Sequence, residues 1–327
     1  MDAAEALLRV ENLTVRFSVP SGVLNAVDGV SFALHEGETL GLVGESGSGK
    51  TLTSLAVMGL LEQPPAEVPA GRIFFQGRDL LELPERDMAD LRGSRLSMVF
   101  QEPMTSLNPI MSIGLQIDEA LIRHLGLSAR AARTRTRELL TVVGIPRPDQ
   151  AAVSYPHQLS GGMRQRVMIA MALACHPSLL IADEPTTALD VTIQAQILEL
   201  LTQLQREMAT AILLITHDLA VIAETAHRVA VMYAGCIVET GPAEALFAAP
   251  LHPYTEGLLR SIPRIVRVPE PELAEIPGVV PTPADLPAGC AFAPRCAYAD
   301  AACHRLRPAL VPHGTGREVA CWKPRHG

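Results

Sequence analysis

Gly44-Glu45-Ser46-Gly47-Ser48-Gly49-Lys50-Thr51 lies between a short apolar run, Thr39-Leu40-Gly41-Leu42-Val43, and a segment of helical composition, Thr51 to Leu61. The order strand, glycine turn, helix points to an α/β fold. The spacing Gly-x4-Gly-Lys-Thr fits a phosphate-binding loop. Its glycines let successive N–H groups turn inward, and the following helix adds its positive N-terminal end. In such a loop Lys50 reaches the β- and γ-phosphates and Thr51 offers its hydroxyl to Mg²⁺.

A second glycine turn, Leu159-Ser160-Gly161-Gly162-Met163-Arg164-Gln165-Arg166, has no lysine. A chain with one complete phosphate site and one lysine-free turn is suited to hold one nucleotide itself and to close over another held by a second chain. The apolar run Leu179-Leu180-Ile181-Ala182 then leads into Asp183-Glu184. A phosphate-loop enzyme needs such an acidic element. Asp183 at the strand's carboxyl end can hold Mg²⁺ through water, and Glu184 can reach an attacking water as general base.

Outward from these motifs, residues 7 to 43 read as strands, with Leu8 to Phe17 alternating. Leu96 to Phe100 is a further strand. Residues 113 to 175 read as helices broken at Gly144-Ile145-Pro146-Arg147-Pro148. Then come strand Leu179 to Ala182, helix Thr192 to Met208, strand Ala211 to Ile215 and helix Leu219 to Thr225. The helical stretch reads as an insertion into the sheet.

Composition excludes several classes. Aromatics are scarce, so Leu, Ile, Val and Ala must fill the core. The formal charge of −8 argues against broad nucleic-acid binding. The one basic stretch, Arg130 to Arg137, reads as a solvated helix face. The longest apolar run, Val167 to Cys175, is far shorter than a membrane span and reads as a core helix. Met1 to Glu5 lacks the basic start and apolar stretch of a signal peptide, so the expectation is a cytosolic chain with reduced cysteines. Cys175 and Cys236 read as small buried hydrophobes.

Together these motifs resemble the nucleotide-binding subunits of ABC transporters. Leu159-Ser160-Gly161-Gly162 looks like the family's signature motif. Gln101 looks like the Q-loop glutamine, which approaches Mg²⁺ and couples to the membrane subunits. Ala188-Leu189-Asp190 looks like the D-loop, and His217 like the switch histidine at the γ-phosphate. Phe17 stands where the family has its adenine-stacking aromatic. The resemblance implies a mixed-sheet phosphate-loop NTPase core over 1–250 with an inserted helical subdomain at about 104–175. It also implies ATP and Mg²⁺, bound through Phe17, Gly44, Glu45, Ser46, Gly47, Ser48, Gly49, Lys50, Thr51, Gln101 and Asp183. Ser160, Gly161, Gly162 and Asp190 would serve the same nucleotide chemistry, with Glu184, His217 and Gln101 catalytic.

Leu-Ser-Gly-Gly-Met-Arg-Gln-Arg resembles the peptide-importer branch. So do His252-Pro253-Tyr254-Thr255, Ile276-Pro277-Gly278 and Gly289-Cys290-Ala291-Phe292-Ala293-Pro294-Arg295-Cys296. The branch implies a small irregular extension over 251–327. It implies two membrane permease subunits, a substrate-binding protein and a second, different ATPase subunit, with the chain at the cytoplasmic face of the inner membrane. The competing reading is a soluble ABC-type ATPase of DNA repair or translation.

From Pro250 onward the chain is proline-rich and weakly patterned, with prolines at 263, 269, 271, 277, 281, 283 and 287. It reads as a linker or as an appendix fixed by something other than a core. The cysteines run Cys290-x5-Cys296-x6-Cys303-x17-Cys321. Zinc sites favour closer pairs. Longer spacings fit an iron–sulfur cluster held by four thiolates. The resemblance also suggests a [4Fe–4S] cluster, with zinc and free or disulfide-bonded thiols as alternatives.

Overall fold

The structure, a computed structural model, describes residues 6–20, 22–101, 106–187, 189–262 and 275–325. Met1 to Glu5, Ala188 of the D-loop, and Pro263, Pro269 and Pro271 lie outside the described residues. The chain divides into two compact units. Residues 1–34, 39–81 and 215–327 form one, and 35–38 with 82–214 the other.

In the first unit, Leu8–Val19 pairs antiparallel with Gly22–Leu34 on one side and Ala66–Phe75 on the other. Leu8, Val10, Leu13 and Val15 are buried while Arg9 and Arg16 turn outward, the period of two that a half-buried strand requires. The register slips beyond Val10, and Gly71 lies across the slip at φ 107°. A Cβ there would stand 2.6 Å from the Leu13 Cα, so only glycine fits.

The same unit holds a second sheet. Thr39–Val43, buried at every position, pairs parallel with Arg228–Tyr233, which pairs antiparallel with Cys236–Pro242. Parallel and antiparallel neighbours make this sheet mixed. A strand buried on both faces reads as one unbroken apolar run, which is why Thr39–Val43 stood out in the sequence. The helix Lys50–Met58 leaves the glycine turn and stops at Gly59, which adopts the left-handed C-cap.

In the second unit, Leu96–Val99 and Leu179–Asp183 pair parallel. Between them in sequence run the helices Ile113–Leu125, Ala129–Val142, Pro148–Val153 and Gly161–Leu173. Gly126 ends the first and Ser128 caps the second, so the helical stretch breaks at more places than the single Gly144–Pro148 interruption expected. Ile113, Ile117 and Leu121 recur at a spacing of four and are fully buried. Val167, Ile169 and Ala170 are equally buried, as expected of a core helix. Arg130, Arg133 and Arg137 are exposed on one helix, while half-buried Arg135 pairs with Glu138. Among the described residues no helix is long and apolar enough to cross a membrane.

The proline-rich tail is better ordered than its composition suggested. Pro253–Arg260 and Ala301–Arg305 are helical, and Glu318–Val319 adds a short strand beside Cys236–Pro242. The expectation that no core fixes this segment is corrected. Phe292 is buried against Tyr233 and Tyr254, with ring centroids 5.3 and 5.4 Å away. Glu239 supplies a second anchor. Its carboxylate has no exposure, accepts the N–H groups of Leu251 and His252 at 2.8 Å each, and pairs with Arg317 at 2.9 Å.

Two outcomes follow from these anchors. Glu239→Ala removes the counter-charge of the largely buried Arg317 guanidinium and strands two backbone donors, and lowers stability by about 3–5 kcal/mol in a denaturant titration. His252 is buried and its Nδ1 accepts the Tyr254 N–H, and burial holds its pKa down at about 3. The unfolded chain takes up a proton near pH 6.5 that the folded chain refuses. Stability is therefore intact above that pH and falls as the pH drops toward 3. His252→Asn keeps an acceptor at the cap without titrating. It flattens the pH slope of unfolding free energy in this window by about one proton.

Candidate nucleotide site

The first glycine turn is set by close backbone approach. Gly44, at φ 158°, is nearly extended, yet a Cβ there would sit 2.1 Å from the Met232 carbonyl oxygen. Gly49 is left-handed at φ 100° and caps the helix Lys50–Met58. Between them the Ser48 N–H donates to the Glu45 carbonyl, and the Ser48 carbonyl accepts from Gly235. Ser46 and Gly47 are exposed, and nothing lies within 4 Å of a Cβ built on Gly47. The turn thus presents an open cradle at a helix N-terminus, which suits phosphate. Lys50 is buried, and its ammonium donates to the carbonyls of Gly44 (2.8 Å) and Glu45 (3.0 Å). Thr51 is exposed at the head of the helix. The residues present fit a nucleotide phosphate chain with its Mg²⁺.

Two further expected residues belong to the same unit. Phe17 is half-buried on Leu8–Val19, opposite Leu24 and Ala66. His217 is exposed, directly after the strand Ala211–Thr216. The next residue, Asp218, caps the helix Leu219–Thr225 through the N–H groups of Ala220 and Val221.

The second unit gathers the acidic residues and the lysine-free turn. Asp183 ends its strand fully buried. Glu184 follows in the left-handed region at φ 45°, a conformation that costs a non-glycine residue roughly 1 kcal/mol or more. Its carboxylate accepts from Gln101 Nε2 at 2.9 Å and from Thr187 Oγ1 at 2.8 Å. Gln101, 83 positions before Glu184, and Thr187, three positions after it, are thereby aimed at one oxygen. Thr187 had no signal in the sequence beyond lying three residues after Glu184.

Ser160 is the N-cap of the helix Gly161–Leu173 and accepts the Met163 N–H. The Arg164 side chain donates back to the Leu159 carbonyl and ties the turn to the helix. Gly162 lets another helix approach, since a Cβ there would meet Ile193 at 2.9 Å. Ser160 and Gly161 remain exposed. Asp190 caps the helix Val191–Met208 through the Ile193 N–H at 3.0 Å, so one carboxylate has a structural task whatever its functional one.

The metal expectation for the tail is not supported. Among the described residues no group of three or more His, Cys, Asp or Glu is arranged to hold a metal ion. Cys290, Cys296, Cys303 and Cys321 are free thiols, gathered closely enough to act on one another electrostatically. Burial is the main influence on Cys290, Cys296 and Cys321; it raises all three and pushes Cys321 up to about 11. Cys175 is buried as expected. Cys236 is half-buried and also raised by burial, to about 11, with the Arg307 guanidinium against its sulfur.

The sequence reading missed residues around the phosphate turn. The Glu45 N–H donates to the Tyr254 hydroxyl at 2.8 Å, and the Glu45 carboxylate receives both Arg295 terminal nitrogens at 2.7 and 3.1 Å. These partners lie 209 and 250 positions away, beyond any local pattern.

Comparison with known proteins agrees with this geometry. The ABC transporter family model matches residues 27–187, and the model of the oligopeptide/dipeptide transporter C-terminal region matches 238–303. The chain is 54% identical to the oligopeptide transport ATP-binding protein AppD of Bacillus subtilis, covering 97% of this chain and 96% of that one. It is 53% identical to the dipeptide transport ATP-binding protein DppD of Escherichia coli, over 98% of this chain and 97% of that one. A solved dimeric ATP-binding cassette in a post-hydrolysis state, bound to ADP and Pi, aligns with a TM-score of 0.66 at 26% identity, over 72% of this chain and 98% of that one. The chain belongs to the ABC transporter ATP-binding family, in the branch that carries the oligopeptide/dipeptide transporter C-terminal region.

Proposed function

We propose that this subunit hydrolyses ATP to drive uptake of peptides through a membrane permease. The observation that carries the reading is the Glu184 carboxylate, held by Gln101 and Thr187 at the end of a buried acidic strand. It is joined by the open glycine cradle at Lys50 and by full-length similarity to peptide-transport ATP-binding proteins.

The roles divide by chemistry. The turn Gly44 to Thr51 holds the β- and γ-phosphates through its rim amides and the Lys50 ammonium, while the Glu45 N–H stays with the Tyr254 hydroxyl. Thr51, Gln101 and Asp183 would hold Mg²⁺, which when bound would supply positive charge to offset that of the phosphates. Phe17 stacks on the adenine. Glu184 takes the proton of the attacking water, and Gln101 and Thr187 fix the direction of its lone pairs. His217 steadies the γ-phosphate. Ser160, Gly161 and Gly162 present helix amides to the nucleotide of a second ATP-binding subunit, and Asp190 helps join the pair.

The finer assembly follows the branch: two permease subunits, a substrate-binding protein, and a second, different ATP-binding subunit, at the cytoplasmic face of the inner membrane. Residues 1–250 make the nucleotide domain, with about 104–175 as its helical part, and 251–327 the extension. Pull-down from detergent-solubilised membranes tests this. Recovery of permease subunits supports it, and recovery only with ribosomes or DNA supports the soluble alternative. The cysteine tail stays outside the reading, and iron and visible absorbance in anaerobically purified protein are what would reinstate a cluster.

Glu184→Gln preserves the shape and hydrogen-bonding reach of the side chain while removing the base. ATP affinity is expected to stay within about twofold, and steady-state hydrolysis to fall about 10²–10⁴-fold. Phosphate release and nucleotide binding measured on the same preparation check both halves. Unchanged turnover would remove Glu184 from catalysis.

A further inference from the structure

We propose that Arg295 and Tyr254 are positioning residues of the phosphate loop, through which the C-terminal extension sets how tightly the subunit holds nucleotide. The proposal rests on the reading of Gly44–Thr51 as the ATP loop.

Glu45 is held at three points. Its N–H donates to the Tyr254 hydroxyl at 2.8 Å, and its carbonyl accepts from Lys50 at 3.0 Å. Its carboxylate receives a bidentate fork from Arg295. The residues that follow, Ser46 and Gly47, are the exposed rim of the cradle, so the hold on Glu45 fixes where the rim begins.

The fork is itself immobilised. The Arg295 side chain is only 4% exposed. Its Nε donates to the Pro277 carbonyl at 2.9 Å and a terminal nitrogen to the Ile276 carbonyl at 3.2 Å. Its guanidinium lies beside the Tyr233 and Phe292 rings. Tyr254 has no exposure and packs 4.6 Å from Tyr233, ring to ring. A buried guanidinium with its donors directed at fixed acceptors costs little further entropy when it grips a loop.

Charge gives the pair a second effect. Glu45 is the one acidic residue of the glycine turn, and a bare carboxylate there repels phosphate. Arg295 neutralises it with a bidentate pair, the strongest form of such a contact. The extension therefore both shapes the cradle and removes its one unfavourable charge.

The test is calorimetric titration of the full-length subunit with Mg-ATP, alongside steady-state hydrolysis and thermal melting. Arg295→Met exposes the Glu45 charge and frees the rim. The Kd for ATP is expected to rise about tenfold or more, with kcat changed far less. Arg295→Met combined with Glu45→Gln removes the repulsion and recovers part of the lost affinity, which a purely structural role for Arg295 does not predict. Tyr254→Phe is expected to raise Kd about threefold to tenfold. A folded Arg295→Met that binds ATP like the wild type overturns the proposal, as does a double variant no tighter than Arg295→Met alone. Should Arg295→Met fail to fold, unchanged affinity in both Arg295→Lys and Tyr254→Phe overturns it, and weakened affinity in either upholds it. Failure of the wild-type chain to bind ATP would instead sink the reading of the loop.

Discussion

A carboxylate with no solvent exposure survives in a protein only where donors converge on it. Glu239 meets that condition with two backbone N–H groups and the Arg317 guanidinium. Those donors belong to residues 251, 252 and 317, so the strand Cys236–Pro242 binds both the start and the far end of the extension. From this anchor the chain runs through the buried His252 into Tyr254, and Tyr254 reaches the phosphate turn. A segment poor in apolar pattern is thus held by a few buried polar contacts and one aromatic cluster. Such networks fail together when one member is removed, because each unsatisfied partner bears its own desolvation cost.

The sequence disclosed most where the physics is local. Thr39–Val43, Leu179–Asp183 and Ala211–Thr216 are buried at every position and read as short apolar runs. Leu219–Thr225 matches its expected bounds because Asp218 caps it. The first glycine turn was legible because Gly44 and Gly49 admit few other residues. Less legible was Ala66–Phe75, whose Pro69 and Gly71 speak against a strand until the register slip beside Leu13 is seen. The order in the tail was hidden for another reason. Its strands are two residues long, and its anchors are contacts of high sequence separation. The four late cysteines are a case where spacing led further than the structure supports. Their spacing suggested a metal centre, but the described residues bring the thiols together without a metal-holding arrangement.

The two glycine turns differ in construction as well as in sequence. The first joins a buried strand to a helix through glycines at φ 158°, 78° and 100° and carries a buried lysine. The second is a serine-capped helix start with no lysine, and its Arg164 is turned back onto the Leu159 carbonyl. A helix N-terminus alone stabilises an anion by only about 0.3–1 kcal/mol. That is too little to gather a nucleotide from solution, where useful affinities need about 7–8 kcal/mol. The Ser160 turn can therefore matter only to a phosphate that other residues already grip. A lysine-bearing turn and a lysine-free turn on one chain are consistent with work done in pairs.

The same arithmetic explains why the first turn needs support from outside itself. An exposed loop of small residues loses about 1–2 kcal/mol of backbone freedom per residue when it closes on a ligand. Ordering that rim before the ligand arrives converts part of the loss into binding affinity. Lys50 cannot do this alone, since the carbonyl contacts it makes with Gly44 and Glu45 compete with the phosphates for its ammonium. The hold from Tyr254 and Arg295 bears on the other atoms of Glu45, its N–H and its carboxylate, and neither needs to be surrendered when phosphate binds. The extension can thus keep the cradle formed while Lys50 leaves its carbonyls for the nucleotide.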